Sequence, residues 1–245
     1  MARIELAHVD VTFRIFDAGQ RSFLRRLLPF GRGAPAHALD IAALSDIGLT
    51  LEPGSRVAIL GPNSSGKTTL LRVMAGLLPA RRGTVALEGR AGGVFSMGFG
   101  VDPEARLAEI AYAQGLLMGH RPAVARAKVG LILELAEIEA YGDCQARVAP
   151  PGILFRLGIA AMLCLEADII VLDEVLENLD PRFLPRFRDL LVRRTEAGAI
   201  LVMSERSRGL LLHFCTEAIL LGEGRVAGRG PLAEILTAAG AALTF

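Results

Sequence analysis

Residues 61–68 read GPNSSGKT, and this octapeptide constrains the chain more than any other stretch. It satisfies G-x-x-x-x-G-K-[ST], the pattern of a phosphate-binding loop. It follows the short apolar run Ser55 to Leu60 and precedes a helical pattern over residues 68–78, with Leu70, Leu71, Met74 and Leu78 on one side. The residue types follow from the task. Backbone N–H groups of Asn63, Ser64, Ser65, Gly66 and Lys67 must wrap a β-phosphate, and Gly61 and Gly66 let the backbone approach that closely. Lys67 brings a point charge to the β- and γ-phosphates, the Thr68 hydroxyl can ligate Mg2+, and Thr69 completes the expected phosphate-binding set.

About a hundred residues further on, residues 169–174 read IIVLDE. An apolar strand ending in Asp-Glu puts Asp173 at the edge of a sheet beside the loop, where it would hold Mg2+ directly or through water. Glu174 would then polarise an attacking water as general base. Further strand patterns cover residues 3–13, 168–172 and 199–203, and residues 217–227 read as strand, glycine-containing turn, strand. Between the loop and the acidic strand the pattern is mostly helical, and residues 231–245 suit a terminal helix. The expectation is an α/β chain with a P-loop NTPase core, a mixed sheet flanked by helices. An inserted helical subdomain falls at about residues 98–165, an N-terminal antiparallel β region precedes the core, and the whole forms one domain over 1–245.

Charge and cysteine usage narrow the partners. Lys and Arg number 27 against 26 Asp and Glu, which gives no support to bulk binding of nucleic acid. Cys144, Cys164 and Cys215 are odd in number and far apart, so neither a CxxC zinc site nor a disulfide framework is expected, and a reducing compartment suits them. Hydrophobic residues make up 52% of the chain, yet no run reaches the ~18 apolar residues of a membrane span. A large core with an exposed apolar patch for a partner fits that surplus. Residues 14–37 carry Arg14, Arg21, Arg25, Arg26 and Arg32 against Asp17 alone; this basic insertion is either a solvated loop or a contact for anionic lipid or an acidic glycan.

The order of phosphate loop, helical block and IIVLDE resembles the nucleotide-binding subunit of an ATP-binding cassette (ABC) transporter, over nearly the whole chain. Finer details are similar to the branch that powers export of capsular polysaccharide, O-antigen and teichoic acid: MGFGVDPEARLAEI at 97–110, DEVLENLD at 173–180 and FCTEAILLGEGRV at 214–226. Some O-antigen members carry an added C-terminal carbohydrate-binding domain; with the sequence stopping at Phe245, none is expected here. The resemblance implies ATP and Mg2+ as ligands, a head-to-tail dimer of cassettes and a separate transmembrane permease. It implies a peripheral position on the cytoplasmic face of the inner membrane. It makes Phe13, with Phe16 as fallback, the aromatic that stacks on adenine, and Asp180 the aspartate of the D-loop at the dimer interface.

Three departures from the family pattern stand out. The signature that should open a helix near residue 150 is VAPPGILF, so Pro150 and Pro151 replace the serine donor and Gly152 alone remains. Glu205 occupies the position of the switch histidine, where a carboxylate is expected to repel the γ-phosphate. No glutamine follows GGVFSM, and Ser96 lies near its place. The leading reading is the ATP-hydrolysing motor of a polysaccharide or lipid-linked glycan exporter, working as a homodimer or a heterodimer. The alternative is a catalytically impaired nucleotide-binding regulatory or assembly subunit. A small-molecule kinase or GTPase is disfavoured by the placement of IIVLDE and the lack of an NKxD motif.

Overall fold

A computed structural model of the chain describes residues 2–15, 39–95 and 102–239. Phe16, Ser96, His37, the arginines at 21, 25, 26 and 32, and the tail from 240 lie outside the described residues.

Two sheets form the frame. The larger has six strands in the order β5 (Ala91–Phe95), β6 (Ile169–Asp173), β7 (Ile200–Ser204), β3 (Arg56–Leu60), β8 (Glu217–Gly222), β9 (Arg225–Pro231). All pairs are parallel except β8 with β9. β6 and β7 are buried at every residue, which is why they read as unbroken apolar runs: both faces of a parallel sheet are covered. The smaller sheet is antiparallel, in the order β2 (Leu39–Leu51), β1 (Arg3–Ile15), β4 (Arg82–Glu88).

The strand period of two divides the core. Ala58, Leu60, Val94, Ile170, Leu172, Leu201 and Met203 face one side, and α2 (Leu107–Leu117), α3 (Pro122–Leu135) and α4 (Pro151–Cys164) pack there with α5 (Leu184–Glu196) and α6 (Arg208–Phe214). Val57, Ile59, Val171, Val202, Ile219 and Leu221 face the other, against α1 (Lys67–Met74) and the antiparallel sheet. The final helix, α7 (Leu232–Ala239), sends Leu232 and Leu236 into the first of these cores. Pro122 and Pro151 stand at the first position of α3 and α4, where a missing N–H costs no intrahelical bond.

Several boundaries differ from the sequence expectation. α1 stops at Met74 rather than at residue 78, because the chain turns at Gly76 (φ 71°) and leaves Leu77 exposed. β2, β4 and β5 carry weak strand signals. In β5 the glycines serve packing: a Cβ on Gly92 would lie 3.0 Å from Met162 Cγ on α4, so the sheet and that helix come close only without side chains. β2 carries a bulge. Val11 pairs with Leu44 but Thr12 pairs with Ala42, so Ala43 is the extra residue.

Candidate nucleotide-binding and catalytic site

The phosphate loop runs from the end of β3 into α1. Gly61 lies at φ 144°, Ser64 at 64° and Gly66 at 101°, a sequence of positive φ angles that curls the backbone into a cradle. The loop is held from outside. A Cβ on Gly66 would lie 2.6 Å from the carbonyl oxygen of Ala43, the bulged residue, and one on Gly61 would collide with the Leu221 carbonyl oxygen on β8. The Gly224 amide donates to the Ser65 carbonyl (3.1 Å), and the Ser45 amide donates to the Gly224 carbonyl (2.9 Å). The β8–β9 turn thus ties the loop to β2. Lys67 Nζ donates to the carbonyls of Gly61 (2.7 Å) and Pro62 (3.0 Å), arching back over the loop. Partial burial lowers its pKa, while Glu174 and Asp173 act the other way. Asn63 and Ser64 are exposed, Thr69 is half-buried on α1, and Ser65 is buried with its hydroxyl unpartnered.

Across from the loop, β6 delivers the acidic pair. Thr68 Oγ1 donates to Asp173 Oδ2 at 2.8 Å, so residues expected to share a cation from opposite ends of the motif pair are in direct contact. Burial raises the Asp173 pKa, with the Thr68 hydrogen bond opposing. Two adjacent oxygens, one anionic and held out of bulk water, suit a hard divalent cation. Among the described residues no group of three or more His, Cys, Asp or Glu side chains could hold a metal, so a cation here would take further ligands from phosphate and water.

Glu174 follows at φ 52°, a left-handed conformation uncommon for a residue with a side chain. Its amide donates to the Ser204 carbonyl at the end of β7 (2.8 Å), and its side chain receives a hydrogen bond from Arg206 (Nη2 to Oε2, 3.1 Å).

Glu205 corrects one expectation. Its carboxylate is buried, and Oε1 accepts hydrogen bonds from the amides of Val175 (2.8 Å) and Leu176 (2.7 Å). The charge expected to repel a phosphate instead fastens the loop that leaves Glu174. Burial pushes its pKa up to about 7 against those two hydrogen bonds, with Glu177 and Glu174 adding to the rise. Oε2 has no partner, which suits a proton residing there.

The remaining expected residues are spread around this centre. Phe13 is 40% exposed on β1, opposite Ile41, which is also exposed. Ile41 stands two residues from the bulge that touches the loop, about 7 Å along the strand. Asp180 is engaged by Arg182 through Nη2 (2.8 Å) and the backbone amide (3.0 Å), which holds its carboxyl down at about 2. Pro150 and Pro151 are exposed at the start of α4, with no side-chain cap. A Cβ on Gly152 would lie 3.2 Å from the Asn178 carbonyl, next to the loop that carries Asp180. Arg14 of the basic stretch is neutralised by Asp40 (2.8 Å); the rest of that stretch, and with it any lipid contact, lies outside the described residues. His213 bonds the Gly209 carbonyl one turn back along α6, as a helix-face residue does. Arg206, Ala43 and Gly224 were not legible as site residues. Arg206 follows a position read for its missing histidine, and the other two act through backbone.

Comparison with known proteins places these features in context. The ABC transporter family model matches residues 44–177. The O-antigen export system ATP-binding protein RfbE of Yersinia enterocolitica is 28% identical over 231 residues, covering 92% of this chain and 97% of that protein. A putative ABC transporter ATP-binding protein of Streptomyces coelicolor is 32% identical, covering 80% and 79%. The teichoic acids export ATP-binding protein TagH of Bacillus anthracis is 29% identical, covering 79% of this chain but 35% of TagH. Among solved structures, the ATP-binding cassette MJ0796, in a dimeric post-hydrolysis state with ADP and Pi, superposes with a TM-score of 0.72 at 20% identity, covering 94% and 98%. That likeness establishes the fold.

Proposed function

The chain belongs to the ABC transporter family, and from that premise we propose that it is the ATP-binding and ATP-hydrolysing subunit of an exporter of polysaccharide or lipid-linked glycan. The observation that carries this reading is the contact of Thr68 with Asp173 beside the Lys67 arch, which brings both halves of a nucleotide-hydrolysing site together. The names of RfbE and TagH support the exporter class.

In this reading the amides of 63–67 and the Lys67 ammonium seat the triphosphate, and Phe13 stacks on adenine. Thr68 and Asp173 would hold Mg2+, which would supply positive charge against the phosphates. Glu174 orients a water against the γ-phosphorus. The water oxygen forms a bond to phosphorus as the bond to the β–γ bridging oxygen breaks. Glu174 takes the water's proton and later releases it to solvent, leaving ADP and inorganic phosphate.

Cassette and permease partners complete the system. Asp180, Gly152 and the exposed start of α4 face a second cassette. Because Pro150 and Pro151 offer no side-chain donor there, a heterodimer in which the partner supplies the signature serine would restore one full composite site. Among the described residues no helix is long and apolar enough to cross a membrane; in this reading the transport path is supplied by a separate permease. We place the chain against that permease at the cytoplasmic face of the plasma membrane, where ATP is available. The helical block carries the apolar surface for it, with Leu117 78% exposed on α2, Leu131 exposed on α3 and Val148 60% exposed beyond it. Leu117→Asp is expected to reduce co-purification with the permease and leave ATP binding unchanged; undiminished co-purification would move the coupling surface elsewhere.

The reading is tested by calorimetry and phosphate release on the purified chain and on Lys67→Ala. Wild type should bind Mg-ATP, and the variant should bind it roughly 10- to 100-fold more weakly, the worth of one charge-assisted contact. A wild-type chain that binds no adenine nucleotide would overturn it.

A further inference from the structure

Arg206 is a cation beside the acidic pair that the expected motifs leave without a task. Its Nη2 donates to Glu174 Oε2 at 3.1 Å, and its side chain is 61% exposed. Glu174 adjoins Asp173, whose other contact is Thr68 at the end of the phosphate loop. The Arg206 charge also acts on Lys67, together with those of Glu174 and Asp173. Glu205, the preceding residue, is anchored by two hydrogen bonds to the 175–176 backbone, which fixes the point from which the Arg206 side chain springs.

We infer that Arg206 is the γ-phosphate contact of this site, a guanidinium that exchanges the Glu174 carboxylate for the terminal phosphate of bound ATP. This rests on the ATP-hydrolysing reading above. The balance of charge drives the exchange. Lys67, Arg72 and Arg206 act on Asp173 and Glu174, and a triphosphate adds several further negative charges beside them. A guanidinium offers five donors in a planar fork, and the Glu174 bond occupies a single Nη2. A phosphate with three terminal oxygens is a better match for that fork than one carboxylate oxygen. Departure of Arg206 leaves the Glu174 carboxylate unpaired when it must accept a proton from water. Two neighbouring residues thus divide the work expected of a single histidine: Glu205 fixes the loop and Arg206 reaches the phosphate.

ADP lacks the γ-phosphate, so the contact is specific to the triphosphate. The test is calorimetry on the full chain with ADP and with the non-hydrolysable β,γ-methylene analogue of ATP, for wild type, Arg206→Gln and Arg206→Lys. Arg206→Gln should weaken the analogue roughly 10- to 100-fold while ADP affinity stays within about twofold, which also shows that the variant is folded. Arg206→Lys should retain part of the preference for the analogue, because it keeps the charge and loses the fork. Equal weakening of both nucleotides would make Arg206 structural and overturn the inference. Unchanged analogue affinity with faster hydrolysis would make it only a brake on Glu174 and overturn it equally. If wild type binds neither nucleotide, the ATP-hydrolysing reading itself falls.

Discussion

Glu174→Gln is expected to lower ATP hydrolysis by about 10²- to 10⁴-fold while ATP binding persists, because the substitution removes the proton acceptor and keeps the size and the backbone. Glu174 is poised for that role by three contacts: its amide on Ser204, its carbonyl accepting from Asn178 Nδ2 (3.0 Å), and its carboxylate beside Arg206. Gln at 174 can still receive the Arg206 donor through its carbonyl oxygen, so the ground-state arrangement should survive. Single-turnover phosphate release separates this from a binding defect. Retention of more than about a tenth of the wild-type rate would remove Glu174 from the role of general base.

The second large effect concerns Glu205. Replacing it by His removes the acceptor of two buried amides, those of Val175 and Leu176, and each unsatisfied amide costs about 1–3 kcal/mol. Glu205→His, which on sequence grounds alone should restore a switch residue and raise the rate, is therefore expected to destabilise the chain and lower it. The pH dependence has a definite sign. A carboxyl at about 7 in the folded chain and near 4.5 when unfolded binds more protons folded than unfolded between those values. Stability from this group is thus full below about pH 4.5 and falls as pH rises towards 7, by about 3 kcal/mol at 1.36 kcal/mol per unit. Glu205→Gln keeps an acceptor for both amides and cannot ionise. The difference in unfolding free energy between wild type and Glu205→Gln should therefore vary over that window. A difference that stays flat with pH would mean that Glu205 is ionised throughout.

The features that proved legible in the sequence are those whose physics is local. GPNSSGKT and IIVLDE announce a loop and a buried strand because glycine freedom, phosphate chemistry and double-sided burial all act on adjacent residues. The bulge at Ala43, the edge strand β4 and the glycine-bearing β5 were opaque, since what fixes them is a partner strand or a helix brought from elsewhere in the chain. Glu205 shows the same division within the site. Its position was readable as the end of an apolar strand, but the direction of its carboxylate depends on amides thirty residues away, which no spacing rule reveals. Arg206 is opaque for the same reason: a cation acquires meaning only with Glu174 beside it.

The clasp between Ser65 and Gly224 bears on how the chain reaches its native state. The octapeptide is synthesised well before the turn that closes on it, which lies beyond the whole helical block and four strands of the larger sheet. Segments so distant along the chain meet at a loop-closure cost, and contacts of this range belong to the slow steps of folding. A nascent chain would therefore carry the whole phosphate motif long before it could hold nucleotide in it. Competence for the energy source would arrive only as β8 and β9 dock.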